Sequence, residues 1–295
     1  MSALPNALAL KRADSIERLW LLGLVTPAML LIVITMVLPV GWLFYLSLLS
    51  DTGAFTTEHY VRMWEQPSYF RTFRTTFEVS IMTTAICLVI GYPLAYFLSE
   101  LPKRAANLCM IAVLLPLWTS LLVRTYAWLV LLQRKGLINN WAIELGLWTE
   151  PIALVHNMLG TLIGTVHVML PFLILPLYSS MRAIDRNYLR AAANLGASPL
   201  KTFWSIFFPL ALPGMATGAL IVFILCLGFY ITPAVLGGGK VIMVSSRIAN
   251  DIEIFFNWGA ASALGVVLLV MTALLIWIFM KLLKISNPVD RAIAA

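Results

Sequence analysis

The charge of this chain is gathered into short stretches, and long windows without a single Asp, Glu, Lys or Arg lie between them. Such windows separate Arg18 from Asp51, Glu78 from Glu100, Arg104 from Arg124, Glu150 from Arg182, Lys201 from Lys240 and Glu253 from Lys281. Each is close to or longer than the roughly 20 apolar residues that a helix needs to cross about 30 Å of hydrocarbon. Composition agrees: apolar residues make up 61% and charged residues 11%, whereas an ordinary soluble domain is near half apolar and about a quarter charged. The windows predict an all-α, polytopic membrane protein with six transmembrane helices, near 20–48, 76–99, 106–132, 158–181, 214–236 and 260–283. The third of these carries Arg124 inside it.

Six spans place both termini on one side. If that side is the cytoplasm, the inner segments hold Lys11, Arg12, Arg18, Lys103, Arg104, Arg182, Arg186, Arg190, Lys201, Lys281, Lys284 and Arg291. The outer segments hold fewer basic residues: Arg62, Arg71, Arg74, Arg134, Lys135, Lys240 and Arg247. Basic residues favour the inner face, so the expected topology is N-in/C-in. The net charge of +7 follows from this bias. No groove-reading motif or aromatic-spaced basic stripe is present, so lipid and not nucleic acid is the expected environment.

The domain reading is a cytoplasmic tail over 1–18, a transmembrane domain over 19–284 and a cytoplasmic tail over 285–295. The first apolar run is too long for a cleavable signal and lacks a small-residue cleavage site. Cys87, Cys109 and Cys226 fall within spans and read as buried small hydrophobes. His156 and His167 are isolated and do not form a metal pair. The loop Asp51–Phe73 is rich in Tyr, Trp and Phe, which predicts a short helix on the membrane surface. GLINNWAIELGL, within the loop 133–157, also has helical spacing. Gly160-xxx-Gly164 and Gly214-xxx-Gly218 offer small faces for close helix contact. Pro116, Pro171 and Pro233 each remove a backbone hydrogen bond and can bend a span around a cavity.

One polar island is punctuated in its own right. DRNYLRAAANLGASPLKTFWSIFFPLALPG runs from Asp185 to Gly214. Asp185 suits the N-cap of a short helix ending at Gly196. Ser198 suits the cap of a second, with Pro199 at its first position. Pro209 and Pro213 are expected to close the unit, leaving two short helices hinged at Gly196 over 185–213. Ala191, Ala192 and Ala193 give a face without bulk, and Phe203, Trp204, Phe207 and Phe208 make the second helix too apolar to face water alone.

The spacing Ala191-Ala192, three residues, Gly196, nine residues, Ile206-Phe207-Phe208-Pro209 is similar to the EAA motif of the permease subunits of bacterial ATP-binding-cassette importers. GYPLAYFLS at 91–99, PLWTSLLVRTYAW at 116–128, LPLYSSM at 175–181 and NWGAASALG at 257–265 resemble the spermidine/putrescine branch of that family. Arg190 stands where the family usually has Glu, and Phe208 where it usually has Leu. The resemblance implies a non-catalytic permease subunit in a bacterial inner membrane. It implies a second permease as heterodimer partner, two cytoplasmic ATPases and an extracytoplasmic solute-binding protein. No GxxxxGK[ST] loop occurs here, so ATP and magnesium are expected on the ATPase, with no cofactor on this chain. The implied ATPase-coupling residues are Asp185, Arg190, Ala191, Ala192, Leu195, Gly196, Ala197, Ser198, Phe203, Ile206 and Pro209.

Candidate pathway residues are Glu78, Trp118, Arg124, Tyr126, Trp128 and Tyr230. A polyamine needs acidic groups for its ammonium ends and ring faces for its methylenes. Arg124 opposes that chemistry, while Glu78 and the rings favour it. Charge within hydrocarbon costs several kcal/mol, so Arg124 is expected to clamp a neighbouring helix, to stand in the pathway or gate, or to snorkel to the interface, and Glu78 to pair with Arg74 one turn away. Opines, amino-phosphonates and other small nitrogenous solutes remain alternative substrates of the same importer class. A self-contained carrier or channel is a more distant alternative, since it would have no use for the hinged pair of helices at 185–213, the elbow. An intramembrane enzyme would need a nucleophile–base pair, and neither HExxH nor GxSxG occurs.

Overall fold

The computed structural model describes residues 20–50 and 53–286. The expected tail at 1–18 and all but the first two residues of the one at 285–295 lie outside the described residues. Among the described residues there is no strand beyond a single bridge between Leu49 and Phe55. The long helices are α1 (Trp20–Ser47), α3 (Pro67–Glu100), α7 (Met158–Ala183), α9 (Pro199–Leu227) and α12 (Trp258–Ser286). Shorter ones are α2 (Glu58–Glu65), α4 (Lys103–Leu114), α5 (Leu121–Leu132), α6 (Leu137–Glu144), α8 (Arg186–Asn194), α10 (Ile231–Leu236) and α11 (Val244–Glu253).

Three long helices, α3, α7 and α9, pack on one another more extensively than any other set. Their shared core has one part near the C-terminal end of α3, including Leu98, Ile174, Leu177, Met181 and Phe207. A middle part contains Cys87, Met169, Leu173, Val222 and Cys226. The closeness of α7 and α9 depends on two glycines. A Cβ on Gly214 would overlap Ser180, and one on Gly218 would lie 3.0 Å from the Leu173 carbonyl oxygen. The small-residue face read at 214–218 therefore meets a backbone. Gly164 plays the same part toward α10, where an added Cβ would come to 2.7 Å from Thr232 Cγ2. By contrast α1 is exposed along most of its length and leans on α12.

Three span boundaries differ from the sequence reading. The second span starts at Pro67, not near 76, because proline is well placed at a helix start and the loop residues 67–75 continue the same helix. The third span is not one helix over 106–132. It breaks at Thr119–Ser120, and the two parts, Lys103–Trp118 and Leu121–Glu144, are bent by 93°. Pro116 sits in a 3-10 turn at Leu115–Trp118, followed by extended backbone at Thr119 and Ser120. Thr119 Oγ1 donates to the Pro116 carbonyl at 2.8 Å, satisfying one group that the break frees.

The fifth span runs from Pro199 to Leu227 and not from 214 to 236. It ends at Gly228, and the short α10 follows. Pro209 and Pro213 do not close the elbow, since the helix passes through both. Pro209 has no N–H to give, and the helix adapts one turn earlier by widening into a π turn at Phe203–Phe207, where the Phe208 N–H bonds the Phe203 carbonyl. The same device recurs in α1, whose π turn at Val33–Val37 precedes Pro39.

Cys109 is exposed on α4, while Cys87 and Cys226 are buried. The other expected short helices are present as α2 in the loop after the first span and as α6 within GLINNWAIELGL.

Candidate functional site

The elbow lies between α7 and α9, and its local chemistry follows its sequence. Asp185 Oδ1 accepts from the Asn187 N–H at 2.9 Å and caps α8. Ser198 Oγ accepts from the Lys201 N–H at 3.4 Å and caps the start of α9. Caps of this kind contribute about 1 kcal/mol each. Between the two helices Gly196 takes φ +79, a left-handed angle that costs other residues roughly 1–2 kcal/mol. The Ala197 N–H bonds back to the Ala192 carbonyl and closes the corner.

The corner encloses an open groove of about 690 Å³. Its wall includes Ala191, Ala192, Leu195, Gly196, Ile206 and Pro209, with Ala197 beside them. Ala192 is buried, Ala191 and Leu195 are exposed, and no atom lies within 4 Å of where a Gly196 Cβ would stand. Small side chains leave the space, and apolar ones make it costly to leave in water. Arg190 is exposed on α8 and has no ion pair among the described residues.

The elbow is fastened to α3 in two ways that the sequence did not announce. Arg182 donates to the Ser99 carbonyl at 2.7 Å and to the Leu101 carbonyl at 3.0 Å. Arg186 donates to the Ser99 carbonyl at 3.1 Å and pairs with Glu100. The carbonyls at the C-terminus of α3 have no intrahelical partner, and guanidinium groups suit both the free acceptors and the negative helix end. The second fastening is aromatic. Tyr96 lies edge-on to Phe203 and Phe207, at centroid distances of 5.4 and 5.1 Å, and Tyr92 lies 5.8 Å from Phe208. Phe203 thus packs against the helix core of the protein and does not line the groove. The π turn aims these rings, so Pro209 acts at a distance. Both fastenings join residues roughly a hundred positions apart, and local spacing carries no signal for them. Replacement Arg182→Gln is expected to cost about 1.5–3 kcal/mol, the value of hydrogen bonds to a charged group. A lowered thermal midpoint of the purified protein, measured by tryptophan fluorescence, checks this.

The candidate pathway residues are less closely gathered. Glu78 is engaged on its own helix, 2.7 Å from Arg74. Trp118 stands at the break before α5 and is 79% exposed. Tyr126 is exposed on α5, and Tyr230 is exposed at the break before α10. Trp128 donates from Nε1 to His167 Nδ1 at 3.0 Å, which ties α5 to α7. Thr125 and Thr232 share a buried hydrogen bond of 3.1 Å, which ties α5 to α10. The two broken segments are therefore joined, and their breaks carry Trp118 and Tyr230. Arg124 has Nε and Nη1 buried with no hydrogen-bond partner. Within the described residues no neighbouring helix supplies an acceptor for them.

Comparison with known proteins follows the same lines. Residues 23–288 match the family described as binding-protein-dependent transport system inner membrane component. The spermidine/putrescine transport system permease protein PotB of Haemophilus influenzae is 35% identical over 232 residues, covering 79% of this chain and 81% of that protein. PotB of Escherichia coli K12 is 32% identical over 233 residues, covering 79% and 84%. A chain in the crystal structure of a bacterial alginate ABC transporter, in complex with its alginate-bound periplasmic protein, superposes with a TM-score of 0.75. At 16% identity, over 90% of this chain and 94% of that one, it shows a shared fold.

Proposed function

The chain belongs to the binding-protein-dependent transport system inner membrane components, and from that membership we propose that it carries polyamines inward as one of two permeases in an ATP-driven importer. It is a multi-pass inner-membrane permease subunit. The finer reading is that the elbow faces the cytoplasm, with both termini on that side. A ridge of the ATPase fills the alanine-lined groove, and each of two ATPases serves one permease. A second permease completes the pathway, and a solute-binding protein delivers the solute to the opposite face. ATP and magnesium belong to the ATPase.

The groove at Gly196 is the observation that carries this reading. An apolar concavity of this size on an otherwise polar segment is expensive in water unless a partner covers it. Closure of the ATPases would displace α8. The displacement would pass to α3 through Arg186, and directly to α9 through the continuous helix from Pro199. These are the helices that pack on α7, so the motion reaches the centre of the subunit.

Relatives at 32–35% identity that are named for spermidine and putrescine support a polyamine as solute. Trp118, Tyr126 and Tyr230 are exposed at or near the joined breaks and offer ring faces to a flexible cation. Arg124 repels such a cation, and its unpartnered donors call for an acceptor from the second permease.

Reconstitution of the whole transporter in liposomes tests the proposal. ATP-dependent uptake of labelled spermidine or putrescine is expected, and cold polyamine should compete where an opine or amino-phosphonate does not. Uptake that continues without ATPase would overturn the importer reading. Competition by the other solutes alone would overturn only the substrate. A Ser198→Cys label that reacts only from the binding-protein side would overturn the orientation.

A further inference from the structure

At the end of the molecule opposite the elbow, a second pocket of about 300 Å³ lies among α2, α3, α11 and α12. Arg62, Tyr69, Arg247, Asp251, Phe255 and Asn257 are among its walls. Asp251 is the unusual member. Its side chain is only 5% exposed, yet Oδ2 has no hydrogen-bond partner. Its other oxygen, Oδ1, lies 3.2 Å from Arg247 Nε. The Arg247 guanidinium in turn lies 4.9 Å over the Tyr69 ring. On the rim Arg62 pairs with Glu58 at 2.7 Å and is about one-third exposed. A buried carboxylate oxygen without a partner costs roughly 1–3 kcal/mol or more, and the buried Arg247 Nε also has no aligned acceptor, so the pocket as it stands leaves one acceptor and one donor unmatched.

Charge narrows the class of donor. Asp251 and Glu58 balance Arg247 and Arg62, so the pocket is close to neutral. A simple cation would meet two guanidinium groups, and a simple anion would meet the free Asp251 oxygen. A net-neutral ligand bearing an ammonium and an anionic group meets neither objection. Its ammonium would donate to Asp251 Oδ2, and its anion would face Arg62 and Arg247.

Position narrows the source. Glu100 is beside the elbow, and Tyr69 stands about 46 Å up the same helix. From Lys281 to Trp258 along α12 is about 35 Å, slightly more than the hydrocarbon thickness. Asn257, immediately before Trp258, therefore lies at headgroup level. Exposed Trp64, Phe255, Phe256 and Trp258 surround this end, and such rings prefer the membrane interface. Burial raises the Asp251 carboxyl above its ordinary range, while Arg247 and Arg62 pull it back. An added ammonium would favour its charged form.

We propose that this pocket binds the headgroup of a phospholipid with a primary ammonium, a phosphatidylethanolamine, with the ammonium on Asp251 and the phosphate toward Arg62 and Arg247. The site is separate from the elbow and from the candidate pathway.

The test uses the intact transporter in nanodiscs of phosphatidylethanolamine, phosphatidylcholine or phosphatidylglycerol, with retained lipid read by native mass spectrometry. Phosphatidylethanolamine should be retained at least tenfold over phosphatidylcholine, whose quaternary ammonium has no N–H to donate. Asp251→Asn should reduce that preference to near unity. Arg62→Gln, on the exposed rim, should lower retention of both lipids and serves if Asp251→Asn does not assemble. Equal retention of the two lipids by the native protein would overturn the proposal. So would an unchanged preference in Asp251→Asn, or unchanged retention of both lipids in Arg62→Gln. Displacement by soluble glycerophosphoethanolamine at equal concentration would assign the pocket to a free zwitterion and overturn the lipid source. Protection of the pocket only on docking of the binding protein, with no lipid retained, would assign it to that interface.

Discussion

Gly196→Trp is expected to leave the subunit folded and inserted while reducing ATP-driven uptake by at least about tenfold, equivalent to 1.4 kcal/mol or more of lost docking. The structure separates the two effects. Apart from its chain neighbours, no described residue comes within 4 Å of a Cβ at this position, so the indole has room among the described residues. The left-handed backbone angle adds roughly 1–2 kcal/mol of strain, which a well-packed membrane core can absorb. The indole would then occupy the 690 Å³ groove that the ATPase is proposed to fill. Co-purification of the ATPase with the variant, together with uptake in liposomes, measures the outcome. Uptake at the native rate would remove the groove from the coupling mechanism. Arg190→Glu supplies the contrast. Arg190 is exposed and has no ion pair among the described residues, and a single exposed ion pair is worth about 0–1 kcal/mol. Uptake by that variant should stay within several-fold of the native value.

Gly214→Leu should act in the opposite way, on assembly of the subunit and not on its docking. A Cβ at this position would come to 2.7 Å from Ser180 Oγ and 3.1 Å from the Pro176 carbonyl oxygen. The carbonyl belongs to a helix backbone and cannot move aside as a flexible side chain would. Overpacking typically costs 1–3 kcal/mol, sometimes more, and two added branches against α7 place this case at about 3 kcal/mol or above. The expected result is a sharply lower yield of monodisperse protein and a lower thermal midpoint by fluorescence-detected size exclusion. Gly41→Ala is the control, because nothing lies within 4 Å of that Cβ. A native midpoint for Gly214→Leu would mean that α7 and α9 are not held as closely as described.

The sequence alone determined the solvent. Windows without charge can be counted without knowing any contact, because the cost of a charge in hydrocarbon depends on the residue and hardly on its neighbours. Asp185, Ser198 and Gly196 were legible for the same reason. A cap and a left-handed corner are settled within a few residues of chain, and those residue types have few other local uses. The Arg74–Glu78 pair is equally local, one helical turn apart.

The tertiary structure decided what a proline does. Pro209 and Pro213 read as terminators, yet the helix continues through both; before Pro209 the backbone widens into a π turn against the rings of Tyr92 and Tyr96. Pro116 has the same covalent chemistry and lies beside a 93° break. A missing N–H frees one carbonyl in every case. Whether the chain bends, widens or breaks depends on which groups stand near enough to satisfy it, and those groups come from distant parts of the sequence. The clamp of Arg182 and Arg186 on the end of α3, and the buried oxygen of Asp251, were invisible for that reason. Each is defined by a partner, present or missing, that only packing brings to the site.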